Sequence, residues 1–267
     1  MRPEAASISI RPAADADYPA FTRLFPELGV DDPLPTPSVW ASAFVPYTRV
    51  ATEGAEVLGY CYAQQYDDTG YVRHLVVAPA GRRRGVARSL MRATAHHLRA
   101  AGKTGWRLNV GSENAAAIAL YAGLGLQTLY SSRAVRVPWA SAGALPETRA
   151  VVRELPSVRD AEIERLFALP RGQLAAARGT TRLIFVATGA PGACAGLAVF
   201  SPAFPGAFPF RVLEPGAVRA LLEAMRPHVP DQPHVNLVID DDDPLVRRLV
   251  AVGAEVRAEF LHLGGAL

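Results

Sequence analysis

YVRHLVVAPAGRRRGVARSLMRATAHHLRAAGKTGWRLNVGSENAAAIALYAGLGL, residues 71–126, holds in order an apolar strand, an Arg/Gly turn, an amphipathic helix, a second strand and an Asn-led helix closing on Leu-Gly-Leu. Val72, Leu75, Val76 and Val77 predict a strand that Pro79 stops, because proline has no amide hydrogen to continue a ladder. Residues 80–87 then place three arginines and two glycines ahead of Ser89, Leu90, Ala93, Ala95 and Leu98, which recur at helical spacing. A helix therefore starts inside an arginine-rich turn. Its first amides lack partners and carry the positive end of the helix dipole, which suits phosphate. Gly85 and Ala87 let a pyrophosphate approach the main chain, and Arg82, Arg83 and Arg84 offer forked donors to its oxygens. The competing reading is an ordinary loop of solvated arginines. Neither a Walker loop nor a Gly-x-Gly-x-x-Gly motif occurs.

Residues 77–87, VAPAGRRRGVA, resemble the acyl-CoA loop of the GNAT superfamily of N-acetyltransferases. That family's pattern is Arg or Gln, two residues, Gly, one residue, then Gly or Ala, and Arg82, Gly85 and Ala87 meet it. Residues 114–126, NAAAIALYAGLGL, resemble the family's C-terminal helix, especially in its protein N-terminal acetyltransferase branch. The likeness covers residues 8 to 138. It implies an α/β (α+β) fold, a mixed, mostly antiparallel central sheet flanked by helices, with acetyl-CoA as cosubstrate and no metal. It also implies that the main chain of Leu75, Val76 and Val77 holds the pantetheine arm as a false extra strand, with a Val77 amide near the thioester oxygen. Arg82, Arg83, Arg84, Gly85, Val86, Ala87 and Arg88 would hold the pyrophosphate end, and Asn114 the cofactor arm. A fully paired central strand and a plain helix N-cap at Asn114 are the competing readings.

Tyr121 lies seven residues after Asn114, two helical turns on and so on the same face. The resemblance implies a general acid there, since a phenol of pKa about 10 can hand a proton to a departing thiolate of pKa about 8.5; core packing is the alternative. The N-terminal acetyltransferase branch commonly has a glutamate on the preceding strand. This chain reads Asn109 there, which has no proton-accepting carboxylate and is a candidate substrate contact. His74 is a candidate base by its ordinary pKa, against a structural, hydrogen-bonded histidine. Glu113 and a water route are further alternatives. Residues 24–50, with five prolines, Asp31, Asp32, Trp40, Phe44 and Tyr47, should shape the site of an amine-bearing acceptor, a small molecule or a peptide N-terminus. The two acids either attract a cationic amine or form an exposed turn.

The 267 residues suit two modest domains, and a chain half hydrophobic and one-fifth charged can fill two cores. The net charge of +3 is spread over arginines, with Lys103 the only lysine, which argues against nucleic acid as a partner. No run of ~18 apolar residues predicts a membrane span and the N-terminus lacks a secretion signal's apolar core, so the cytoplasm is expected. Cys61 and Cys194 read as small buried hydrophobes. Adjacent His96 and His97 diverge on a helix and read poorly as a metal pair. Asp240–Asp243 reads as a solvated turn that caps the next helix.

Residues 8–25 have a counterpart in 150–167, and 57–79 in 193–215, each pair repeating the same order of strands, turns and prolines. PGAVRALLEAM, HVNLVID and DDPLVRRLVAVGA complete the echo. A duplicated α/β domain follows, residues 1–140 catalytic and 141–267 a degenerate GNAT-like copy, joined through residues 139–149. The second copy enters its helix directly after Pro215, without the Arg-x-x-Gly-x-Ala turn, and has an apolar residue near Leu249 in place of Tyr121. The expected function is acetyl-CoA-dependent N-acetyl transfer to a primary amine by direct attack. A non-catalytic acyl-CoA-binding sensor or interaction module and use of a longer acyl-CoA are the alternatives.

Overall fold

A computed structural model describes residues 7–29, 33–147, 149–189 and 192–267. Asp31 and Asp32 lie outside the described residues. Two compact units divide the chain: unit 1 is drawn from Met1–Asn109, Ala119–Gln127 and Gly264–Leu267, and unit 2 from Val110–Ile118 and Thr128–Leu263.

Unit 1 contains β1 (Ile8–Pro12), α1 (Tyr18–Leu24), α2 (Pro37–Val39), β2 (Thr48–Glu53), β3 (Glu56–Gln65), β4 (Thr69–Val77), α3 (Val86–Ala100) and the larger part of β5 (Gly105–Gly111). Its strands lie in the order β1-β2-β3-β4-β5, antiparallel except for the parallel pair β4 and β5. One face is covered by aromatic packing in which Phe21 stacks on Trp40 at 4.4 Å and meets Tyr60 edge-on at 5.3 Å. On the other face α3 packs through the fully buried Leu90, Met91 and Leu98. β4 ends at Val77, two residues before the proline that forbids its extension.

Unit 2 contains most of β6 (Gln127–Pro138), then β7 (Val151–Glu154), α5 (Asp160–Leu166), α6 (Gln173–Arg178), β8 (Leu183–Thr188), β9 (Cys194–Ser201), β10 (Gly206–Val212), α7 (Ala217–Met225), β11 (His234–Asp240), α8 (Asp243–Ala251) and most of β12 (Glu255–Ala266). β7, β8, β9 and β10 pair antiparallel in turn and β10 pairs parallel with β11, the pattern that β1 to β5 follow in unit 1. The expected mixed, mostly antiparallel sheets flanked by helices are therefore present in both units. β6, which ends the first sequence repeat, pairs antiparallel with β11.

The segment 139–149 departs from the tether its small residues suggest. Residues Trp139–Ala144 form a 3₁₀ turn, and Trp139 and Leu145 are buried in the unit 2 core. Apolar anchors among the small residues override the turn-like composition. Each acid of Asp240–Asp243 has its own partner: Asp240 meets Arg211, Asp241 accepts from Ser131 N at 2.9 Å, Asp242 caps α8 through Leu245 N at 2.9 Å, and Asp243 meets Arg133. Among the described residues no His, Cys, Asp or Glu cluster could hold a metal, and no helix is long and apolar enough to cross a membrane. Cys61 and Cys194 are free thiols, buried and half-buried.

Candidate active site

The parallel ladder between β4 and β5 runs only from Thr69↔Gly105 to Val72↔Leu108, although β4 continues for five more residues. Its end coincides with a bulge: the β3 register passes from Ala63↔Val72 to Tyr62↔His74, leaving Arg73 as the extra residue. Beyond it, Ala78 N donates to Leu58 O at 2.8 Å. Antiparallel alternation then turns the amides of Leu75 and Val77 away from β3, toward the edge that the β5 ladder does not reach. The amides of Leu75 and Val77 and the Leu75 carbonyl thus face that edge, as in sheets that recruit an added strand.

At the end of that edge the chain turns through Arg83 and Gly85, both with positive φ (59° and 81°). A side chain is strained there, and a Cβ on Gly85 would meet nothing within 4 Å, so the glycine serves the backbone conformation rather than a packing need. The first α3 bond is Ser89 N to Gly85 O at 3.0 Å, and the preceding amides of Val86, Ala87 and Arg88 face outward without helix partners. No acid stands in the first turn of α3. Two of the loop arginines are already engaged: Arg82 pairs with Glu27 at 2.5 Å and donates from Nε to Val77 O at 3.2 Å, while Arg84 pairs with Glu53 at 2.5 Å. Arg88 reaches Gly123 O at 3.4 Å, and Arg83 is exposed.

Tyr121, in the last turn of α4 (Ala115–Ala122), is buried, and that burial, followed by the neighbouring Cys61, raises its phenol pKa. Cys61 itself stands opposite Leu75 in the β3/β4 register. Unit 1 also holds His74 and Asn109. His74 sits on the aromatic face, its ring 5.4 Å from that of Tyr62 and 5.7 Å from those of Phe25 and Phe44, with Nδ1 3.4 Å from Tyr60 Oη. Burial, aided by Arg73, pushes its pKa down to about 4, so the imidazole is neutral at pH 7. Asn109 is exposed, two residues beyond Arg107, which pairs with Tyr71. Alternation puts it on the same sheet face as those two. Asn114, counted with unit 2, caps α4: its Oδ1 accepts from Ala117 N at 3.1 Å.

Several neighbours carry no signal in the sequence. Glu27 and Glu53 meet the loop from 55 and 31 residues away. Arg73 Nε donates to Gln64 Oε1 at 2.7 Å and Arg73 Nη2 to Tyr66 Oη at 2.8 Å, fixing the bulge beside His74.

The first repeat thus holds a five-strand sheet with an early-ending parallel ladder, a glycine-containing loop ahead of α3 and a tyrosine-bearing helix. Residues 14–126 match the model of the Acetyltransferase (GNAT) family. Over 97% of its length the chain is similar in structure to a tandem GNAT protein from the clavulanic acid biosynthesis pathway (TM-score 0.64, 19% identity, 98% of that chain). It is similar over the same share to GCN5-related N-acetyltransferases from Sphaerobacter thermophilus (0.64, 15%, 95%) and Kribbella flavida (0.58, 16%, 72%). No curated protein sequence matches. Residues 14–126 thus match the GNAT family's model, and the chain has the fold of tandem GNAT proteins.

Proposed function

We propose that the first repeat, residues 1–140, is an acetyl-CoA-dependent N-acetyltransferase acting on a primary amine in the cytoplasm, and that residues 141–267 are a degenerate GNAT-like domain. The observation that carries this reading is the open edge at Leu75–Val77, which leads directly to the outward amides of the α3 start. Both fit an extended, phosphate-bearing cofactor: the edge pairs with amides of an arm, and the helix start with anionic oxygens. Acetyl-CoA supplies the acetyl group as an activated thioester. Arg83, Arg88 and the amides of Val86–Arg88 meet its phosphates, joined by Arg82 and Arg84 as these leave Glu27 and Glu53. The Val77 amide donates to the carbonyl oxygen of the reacting group. Tyr121, kept in its phenol form by burial, gives its proton to the leaving sulfur. The amine attacks directly within the ternary complex, oriented by Asn109, and gives its proton to water, since burial holds the His74 pKa at about 4 and makes it a poor base.

Calorimetric titration of the whole chain with acetyl-CoA and with CoA tests the cofactor half. Micromolar binding that is lost in Arg82→Ala and Gly85→Val is expected; no binding to the unaltered chain would overturn the reading. Tyr121→Phe should lower kcat about 100-fold while leaving acetyl-CoA affinity unchanged, a separation measurable by steady-state kinetics on any accepted amine. Saturable binding without turnover of any amine would favour an acyl-CoA sensor.

A further inference from the structure

The two repeats differ most at the place where the first one opens. Counting back from Pro79 and Pro215, Gly70 matches Gly206, Arg73 matches Pro209, His74 matches Phe210 and Leu75 matches Arg211. Each strand is bulged at the matching point, β4 at Arg73 and β10 between Ala207 and Phe210. In unit 1 the parallel ladder stops before the bulge, at Val72↔Leu108. In unit 2 it resumes beyond it, at Phe210↔Ile239.

One residue further on, Arg211 Nη1 forms an ion pair with Asp240 Oδ2, the side chains 19% and 6% exposed. Gly70 pairs with Trp106 and Gly206 with Asn236, so Asp240 is the counterpart of Val110. The residues matching an apolar Leu75 and Val110 are thus opposite charges joined across the two strands.

The approach to this cleft is altered as well. The segment from Leu213 to Gly216 contains Glu214 and no arginine, and Ala217 N closes on Glu214 O at 2.9 Å. A carboxylate side chain thus precedes the α7 start, where the first repeat has a cluster of arginines.

We infer that the second cleft is sealed by the Phe210↔Ile239 pairing and the Arg211–Asp240 ion pair, so that one chain takes up a single acyl-CoA. The count rests on the proposed site in the first repeat, whereas the sealing concerns the second alone. An arm lying along β10 would have to displace a backbone partner and separate two buried charges at once. Along β4 it meets neither obstacle.

Stoichiometry measured by native mass spectrometry and calorimetry on the whole chain tests this, with saturating acetyl-CoA as the probe. One equivalent is expected, disappearing entirely in Gly85→Val. A second equivalent, or one that survives in Gly85→Val, would overturn the inference. Should the chain bind none, the first repeat's proposed function fails and amide hydrogen exchange decides the second cleft. Slow exchange at Phe210–Val212 beside fast exchange at Leu75 and Val77 supports the seal; equally fast exchange in both overturns it.

Discussion

Asp240→Val should destabilise the folded chain by about 3–5 kcal/mol at pH 7, whereas Arg211→Leu and Asp240→Val together should cost little or even stabilise it. The single change leaves a guanidinium that is only 19% exposed without its counter-charge, and arginine cannot escape by losing its proton. The double change installs the pair that the first repeat carries at the matching positions, Leu75 and Val110, and removes the desolvation cost of both charges. Arg211→Leu alone should fall between the two, because the remaining carboxyl can take up a proton. Burial already pushes the Asp240 pKa up to about 6, with Arg211 pulling the other way.

The pH dependence has a definite sign. A folded-state pKa near 6 against the ordinary 3.8 means that the folded chain holds this proton more tightly than the unfolded one. Its contribution to stability is complete below about pH 4 and is lost as pH rises through about 6, a span worth on the order of 3 kcal/mol. Urea unfolding at pH 4.5 and 7 should therefore show Arg211→Leu recovering toward the unaltered chain at the lower pH, with no such recovery in Asp240→Val. Equal losses in both variants at both values would remove the ion pair as the cause.

What the sequence made legible was local. Pro79 ending a strand and an arginine-rich turn opening α3 each depend on a few neighbouring residues and stand as expected, and at Asn114 it is the competing helix-cap reading that the bond from Ala117 N meets. The repeated order of elements was legible too, because apolar periodicity and prolines survive duplication. The early end of the β4/β5 ladder was not: the apolar residues of β4 have the same pattern whether or not β5 lies beside them. His74 shows the same limit. Its ordinary pKa suggests a base near neutrality, but aromatic rings from Phe25, Phe44 and Tyr62, distant in sequence, enclose it and depress that value to about 4. Trp139 and Leu145 read as part of a tether because nothing nearby reveals the core that receives them.

Gly59→Ala should cost about 3 kcal/mol, at the upper end for an added methyl group, and should weaken acyl-CoA binding as well. A Cβ at Gly59 would stand 2.5 Å from the Val76 carbonyl oxygen and 3.2 Å from Val77 Cα. Both are main-chain atoms of β4, so no side-chain rotation relieves the clash. Gly59 faces Val77 in a non-hydrogen-bonded pair, where opposed strands approach most closely. Relief requires β4 to move away from β3, and the residues displaced are those whose outer edge is proposed to hold the cofactor arm. Gly70→Ala supplies the contrast: its Cβ would strike Leu98 Cδ1 at 2.3 Å, the far end of a side chain on α3. That strain falls on α3 packing, on the stretch of β4 that is already paired with β5, so stability should drop while acyl-CoA affinity is largely kept. Urea midpoints and acetyl-CoA titrations on the two variants separate these cases. Stability losses in both with the affinity loss confined to Gly59→Ala would tie binding to the position of the Leu75–Val77 edge; an unchanged affinity in Gly59→Ala would mean that this edge does not hold the cofactor.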